Sequence, residues 1–269
     1  MLIEPFNSFG LAFLFSVALM LMVWGLALRI NNLGIVDIAW SYAFAPVAAF
    51  YAATTHGDPV RRWLMAGMVG LWSVRLGTHV CVRVVGHHPL EDVRYSEMRG
   101  TWKRNFPLQV LFFYQIQAVL VAALSIPFLI ACMNSQPGMS PVEYAGTALW
   151  LLAVIGEGVA DRQLKQFRAN PANRGQVCRA GLWNYSRHPN YFFEWLVWVG
   201  FFVFALGSPF GCVTIYCPAL MLFFLLRVTG IPLTERLSVK SKGDAYREYQ
   251  RTTSAFVPWF KKKTPLPTT

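Results

Sequence analysis

Residues Phe9 to Leu28 read FGLAFLFSVALMLMVWGLAL, twenty positions without a charged side chain. About 20 apolar residues in a helix are enough to cross the hydrocarbon of a bilayer, so this run predicts a membrane helix. It begins beyond Glu4 and Pro5, with no basic segment before it and no convincing small-residue cleavage site. It therefore reads as a retained helix and not as a signal peptide. With this first segment at 9 to 29, further apolar stretches at roughly 35 to 53, 63 to 85, 107 to 132, 143 to 160, 191 to 208 and 210 to 231 complete a set of seven. The expectation is an all-α, polytopic membrane protein with seven transmembrane helices, one domain over residues 1 to 269.

Composition leads to the same class. Of 269 residues, 55% are hydrophobic, 15% aromatic and only 14% charged. A soluble domain carries about 25% charged residues, so a water-solvated surface is excluded. Twenty-four Lys and Arg against 13 Asp and Glu give a formal net charge of +11. No basic stretch forms a nucleic-acid module. In a membrane protein such an excess points to basic loops that face anionic lipid or an anionic cofactor.

The excess is unevenly placed. Arg94, Arg99, Lys103 and Arg104 follow the third segment; Arg162, Lys165, Arg168, Arg174, Arg179 and Arg187 follow the fifth; Arg236, Lys240, Lys242, Arg247, Arg251 and Lys261 to Lys263 follow the seventh. The alternate connections carry only Arg61 and Arg62. Basic loops stay on the cytoplasmic side, which predicts an outside N-terminus and a cytoplasmic C-terminus. The basic connections are also the long ones, and long loops in a compact protein tend to be functional, so chemistry is expected at the cytoplasmic helix ends. Cys81, Cys132, Cys178, Cys212 and Cys217 form no CxxC pair, and neither a disulfide framework nor a metal site is expected. Nothing in the sequence sets an oligomeric state.

Ionisable groups inside spans are costly and mark function by default. Arg75, His79 and Arg83 recur at i, i+4 and i+8, on one helical stripe that could bind an anion. Alternatively Arg75 pairs with a carboxylate such as Asp37, and Arg83 snorkels to the interface. Asp37 itself is either a cap in a Trp and Tyr belt or a carboxylate facing a pocket, where desolvation would raise its pKa. Tyr114, Gln115 and Gln117 are milder anomalies, suited to interhelical hydrogen bonds or to substrate contact. Asn190 and Glu194, one turn apart, suit a carboxamide, a ribose hydroxyl or an amine, or else a structural cap. Asp161, Lys165 and Arg168 at i, i+4 and i+7 form either an ordinary pair on a solvated face or, with Asn173, Arg174, Arg187 and His188 nearby, a phosphate site.

Gly181 to Glu194, GLWNYSRHPNYFFE, resembles the C-terminal signature of the steroid 5-alpha-reductase family, particularly its bacterial branch, long grouped as a domain of unknown function. The resemblance continues through Ala160 to Arg168, Asn170 to Gly175 and Tyr246 to Trp259, with Val36 to Trp40 and Trp72 to Leu76 upstream, and is strongest over 160 to 260. It implies a multi-pass reductase of the bacterial inner membrane, holding NADPH among its helices and cytoplasmic loops. Matched residue by residue, the family's cofactor-binding Asp falls on Asp161, its loop Arg on Arg168, and its Asn and Glu on Asn190 and Glu194; Arg83 falls near a phosphate-contacting position. No GxGxxG follows a strand, so this is not a Rossmann site. The cofactor set expected on both grounds is Arg75, Arg83, Asp161, Lys165, Arg168, Asn173, Arg174, Arg187, His188, Asn190, Tyr191, Glu194 and Glu235.

The reaction implied is reduction of a carbon-carbon double bond conjugated to a ketone in a lipophilic, steroid-like or isoprenoid substrate, with an acid polarising the carbonyl. The family uses a Glu and a Tyr for this. Asp37 lies near the Glu position, one methylene shorter, and Trp72 stands where the Tyr is expected. Indole donates a hydrogen bond but is not a proton-transferring acid, which leaves Asp37 with Tyr42, Tyr114 or Tyr95 as the catalytic candidates. The Arg-His-Pro-x-Tyr element also resembles the isoprenylcysteine carboxyl methyltransferases, in which Arg187, His188, Tyr191 and Glu235 would serve S-adenosylmethionine. A non-catalytic lipid-binding or transport protein is the third reading.

Overall fold

The computed structural model describes residues 3 to 261, and side chains from residue 6 onward. The side chains of Glu4 and Pro5, and Lys262 and Lys263 of the basic tail, lie outside the described residues. Among the described residues the chain is helical, without a strand. Six helical stretches are long and apolar enough to cross a membrane. The stretch expected at 191 to 208 is α8 (Pro189–Ala205), 17 residues long and shorter than those six. By contacts the chain divides into two compact units, residues up to Pro141 with Ala205–Gly211, and Val142–Phe204 with the remainder from Cys212.

In the first unit, α1 (Ile3–Ile30), α2 (Ile35–Thr54) and α3 (Pro59–His87) are followed by a short polar helix α4 (Val93–Thr101) inside what the sequence presents as a loop. The expected fourth span is two helices, α5 (Phe106–Leu124) and α6 (Ile126–Met133), because Pro127 opens a new helix at Ser125. Pro46, by contrast, is carried inside an unbroken α2. Ser73 on α3 donates its hydroxyl to the Ser41 carbonyl (2.6 Å) and accepts from the Ala45 amide (3.2 Å), inserting itself where a helical bond would run. Buried backbone at bilayer depth must be satisfied, and a neighbouring serine does it here. Gly77 lets α3 lie against the Tyr42 ring, since a Cβ there would stand 2.8 Å from ring carbons.

The short connections of this unit meet at one end. Asp58 caps α3, and its amide donates to the Asn134 carbonyl (2.9 Å). Arg61, 1% exposed, gives its guanidinium to the carbonyls of Asn134 (2.9 Å), Gln136 (2.8 Å) and Gly138. Arg62 caps the end of α2 through Ala52 (2.7 Å) and Thr55 (2.5 Å), and Asn134 donates to Gly207 and Ser208. The α1–α2 turn belongs to the other end. There Tyr114 donates to the Leu33 carbonyl (2.9 Å), and Glu91 accepts from the Leu33 amide and from Arg99.

In the second unit, α7 (Pro141–Ala169) and α8 pack through glycine. Gly146 meets the Phe204 backbone, and Gly200 meets Trp150, where a Cβ would approach within 2.8 Å. Small residues of this kind let membrane helices approach closely. After a 3-10 turn, α9 (Tyr216–Phe223) continues into a π-helical turn (Phe224–Val228) and breaks at Gly230. Beyond it, polar α10 (Ile231–Lys242) and α11 (Asp244–Thr252) lead to the tail, so the third long connection is also largely helical. Leu225, Ile231 and Phe256 seat these pieces against Tyr191, Phe192 and Trp195.

Candidate functional site

Each unit concentrates polar chemistry at one place. In the first, Asp37 in the opening turn of α2 accepts from the Tyr95 hydroxyl at Oδ1 (2.6 Å) and from Arg94 at Oδ2 (2.7 Å), with Arg83 at 3.8 Å. α4 sets this geometry: Asp92 caps its first turn by accepting from the Arg94 amide (3.0 Å) and also binds the Arg94 guanidinium. Burial opposes ionisation of Asp92, but the bonds and charge of Arg94 outweigh it and hold its pKa below the usual carboxylate range. Tyr95 is 2% exposed; burial, then the Asp37 charge, push its phenol pKa well above the usual value. The result is a phenol that keeps its proton while resting on a carboxylate.

This arrangement departs from the expected one. The partners of Asp37 are Arg94, Arg83 and Tyr95, not Arg75, which is half-buried one helix away on α3. The hydroxyls of Tyr42 and Tyr114 are engaged elsewhere, the first shared with Thr78 (2.9 Å) and the second donated to the Leu33 carbonyl. Trp72 is fully buried against Phe44, 5.4 Å between ring centroids. His79 and Arg83 are exposed on the α3 stripe. Arg94 and Asp92 were passed over because in sequence they belong to a loop. The signal was the alternation Glu91, Asp92, Arg94 ahead of Tyr95, a capped helix start carrying both charges.

In the second unit, a cavity of about 390 Å³ opens between the end of α7, the loop after it and α10. Arg168, Asn173, Gln176 and Cys178 line one side, and Thr234, Ser238, Ser241 and Lys242 the other. Asn173 is steadied by donation to the Phe167 carbonyl (2.9 Å). Two cations with three hydroxyls and two amides, set against the apolar Leu164, Phe167 and Leu237, form a donor set for an anion. The structure thus joins Arg168 and Asn173, but not Asp161 or Lys165: the face of α7 turned to the cavity carries Leu164, Phe167 and Arg168, while Lys165 and Arg174 are exposed. The α10 contribution was missed. Its trace in sequence is the hydroxyl stripe Thr234, Ser238, Ser241 at i, i+4, i+7, closed by Lys242.

Arg187, His188, Tyr191 and Glu235 gather beside the cavity, bound chiefly to one another. Arg187 donates to Glu235 (2.5 Å) and to the carbonyls of Gln250 (2.9 Å) and Thr253 (2.6 Å). His188 lies 3.2 Å from Glu235 through Nε2 and stacks on Tyr191, whose hydroxyl meets Thr234 at 3.2 Å. Desolvation lowers the His188 pKa against the pull of Glu235. Glu194, 8% exposed, accepts from Trp198 (3.3 Å) one turn along α8, and Asn190 is half-buried in the first turn. Two further carboxylates, Glu143 and Glu157 of α7, are buried and were also passed over.

Comparison with known proteins places this geometry in a lineage. A family model described as Protein of unknown function (DUF1295) matches residues 23 to 253, and the chain belongs to that family. It is 27% identical over 282 residues to the uncharacterized protein C594.04c of the fission yeast Schizosaccharomyces pombe, a match covering 94% of this chain and 80% of the relative. No solved structure matches.

Proposed function

We propose that this member of the DUF1295 family is a multi-pass membrane reductase that uses NADPH to reduce a carbon-carbon double bond conjugated to a ketone in a lipophilic substrate. The observation that carries the reading is the cavity shared by Arg168 and Lys242, with Asn173, Thr234, Ser238 and Ser241 around it. Like charges around one space are costly without a counter-charge, and a phosphate with its array of acceptor oxygens suits this donor set. Pockets for cofactors run about 300–1,000 Å³, so a cavity of about 390 Å³ takes one phosphate-bearing end of a dinucleotide and not the whole of it. In this reading α8 is the seventh span, the N-terminus lies outside, and the cavity faces the cytoplasm with most of the free basic charge.

The cofactor, when bound, would supply the hydride that goes to the β carbon of the enone. The chain's own residues bind, orient and protonate. Arg168 and Lys242 neutralise phosphate; Asn173 and the α10 hydroxyls fix its position. Tyr95 holds a proton at Oη, raised in pKa by burial and by Asp37; that single donor rests on Asp37 and would have to turn from it to hydrogen-bond a carbonyl on which negative charge develops. Arg94 binds Asp37 and fixes its position. The methyltransferase reading draws on Arg187, His188, Tyr191 and Glu235, and these side chains are spent on one another and on main-chain carbonyls.

The test is a melting shift of the purified protein in detergent with NADPH, NADH or S-adenosylmethionine. A ligand that binds only the native state at 100 times its Kd adds about 2.7 kcal/mol. NADPH is expected to raise Tm, and Arg168→Ala or Lys242→Ala to weaken its affinity by about 10- to 150-fold, the worth of one charge-assisted hydrogen bond. A shift with S-adenosylmethionine alone would overturn the assignment. Oxidation of NADPH against a panel of enones then identifies the substrate class.

A further inference from the structure

A second cavity in this unit, of about 350 Å³, lies under the C-terminal segment and is lined by Arg251, Thr253, Val257, Trp259 and Phe260 among others. Its depth relative to the bilayer is fixed by main-chain bonds. Ser254 pairs with Ser186 in a short parallel bridge, the Arg187 amide donates to the Ser254 carbonyl (2.8 Å), and the Trp259 amide donates to Tyr185 (3.0 Å). Tyr185 is four residues ahead of Pro189, where apolar α8 begins. With α8 taken as the seventh span, as in the proposed function, the segment from 253 to 260 is thereby held at the level at which α8 enters the membrane.

At that level it presents apolar and aromatic side chains outward. Val257 is 49% exposed, Trp259 67% and Phe260 77%. Trp and other amphipathic aromatics belong at the headgroup boundary. Beside them are two exposed cations, Arg251 and Lys261, neither with an acidic partner among the described residues. Thr253 is 3% exposed, and its Oγ1 is buried without a hydrogen-bond partner. A buried hydroxyl left unpaired beside a cavity is costly and marks a place for an acceptor.

Cations, an orphaned hydroxyl and an outward aromatic rim at one membrane depth have one chemical complement. We propose that this cavity is the headgroup site of an anionic phospholipid, its phosphate taken by Arg251 and Thr253 with Lys261, the next residue after the lining Phe260, as a second cation, and its acyl chains lying along Val257, Trp259 and Phe260. The site does not depend on the cofactor reading, since none of these residues lines the Arg168 cavity.

The test uses the full chain in phosphatidylcholine nanodiscs containing a minor fraction of lipid brominated on the acyl chains, as phosphatidylglycerol or as phosphatidylcholine. Tryptophan quenching is the readout. Each surface cation favours anionic lipid about fivefold, so the pair should enrich brominated phosphatidylglycerol about 30-fold at the site and quench more than its zwitterionic counterpart. Trp259→Phe should remove that excess from the summed signal of the ten tryptophans. Arg251→Ala and Lys261→Ala should each cut the enrichment about fivefold, and both are exposed, so the fold is retained. Equal quenching by the two lipids, or an excess untouched in the Arg251→Ala/Lys261→Ala variant, overturns the proposal. So does loss of the excess to inorganic phosphate but not to chloride at equal ionic strength, which would assign the cavity to a soluble anion.

Discussion

Replacing Arg187 by methionine should be among the most damaging single changes in the second unit. Its side chain is 10% exposed and serves three acceptors: Glu235 at 2.5 Å, and the carbonyls of Gln250 and Thr253 at 2.9 and 2.6 Å. Methionine keeps the apolar stem and ends short of the guanidinium nitrogens, so the loss is chiefly one of charge and hydrogen bonds. Glu235, whose side chain is only 15% exposed, would keep Gln250 (2.8 Å) and His188 (3.2 Å) but lose its one charged partner. Removing one member of a buried ion pair costs about 3–5 kcal/mol, because the charge left behind is uncompensated. At about 2–4 °C per kcal/mol for a chain of this size, Tm should fall by about 6–20 °C. A thiol-reactive dye reads unfolding in detergent as the added reaction of Cys132, Cys178 and Cys217, which are buried, above the signal of exposed Cys212 and half-buried Cys81. The double variant Arg187→Met/Glu235→Met should recover at least half of the loss, both charges now being gone. A single variant within about 2 °C of the parent, or a double variant no better than the single, would refute the view that the stranded carboxylate is the main cost.

His188 gives a pH dependence. Burial lowers its folded pKa, so the unfolded chain binds the proton more readily; the contribution of this group is fully present above about pH 6.5 and declines as pH falls below it. Thermal stability should drop between pH 7.5 and 5.5, and His188→Gln should flatten that slope; an unchanged slope would remove His188 as its source. Ser73→Ala strands the Ser41 carbonyl and the Ala45 amide ahead of Pro46, and should cost about 1–3 kcal/mol, whereas Ser73→Thr, which keeps the hydroxyl, should retain more of the parent stability. Equal loss in both variants would point to packing instead. Tyr95→Phe should reduce enone turnover by about 100-fold or more while leaving the NADPH melting shift intact; undiminished turnover would remove Tyr95 as the proton donor.

Apolar runs and their lengths were plain in the sequence, because satisfaction of the backbone inside lipid permits little besides helix. The expected segments at 35 to 53 and 143 to 160 lie within α2 and α7, both of which run further. What the periodicity could not show was the order inside the basic loops. α4, α10 and α11 are polar, and their residues come together through caps and long-range bonds such as Arg94 to Asp37, 57 positions apart. That Arg168 and Asn173 belong together was legible from local base density; that Lys242 and the serines of α10 line the same cavity was not, since nothing local ties them to α7. Arg187 and Glu235 were legible as important, but their engagement with each other and with carbonyls of the tail depends on a fold in which residue 187 runs beside residue 254.

Arg61 and Arg62 alter which charges of this chain count as free to pair with lipid. Both guanidiniums sit inside shells of main-chain carbonyl oxygens at the end where the short connections meet. A lipid phosphate competing for Arg61 would have to displace three carbonyl acceptors that have no other guanidinium to bind. These two guanidiniums are therefore committed to the turns and closed to direct pairing with lipid headgroups, although the uncharged carbonyls leave their positive charge in place. Substituting either one by an uncharged residue should loosen the turn it braces, while the exposed basic residues remain the ones that water and lipid headgroups can reach.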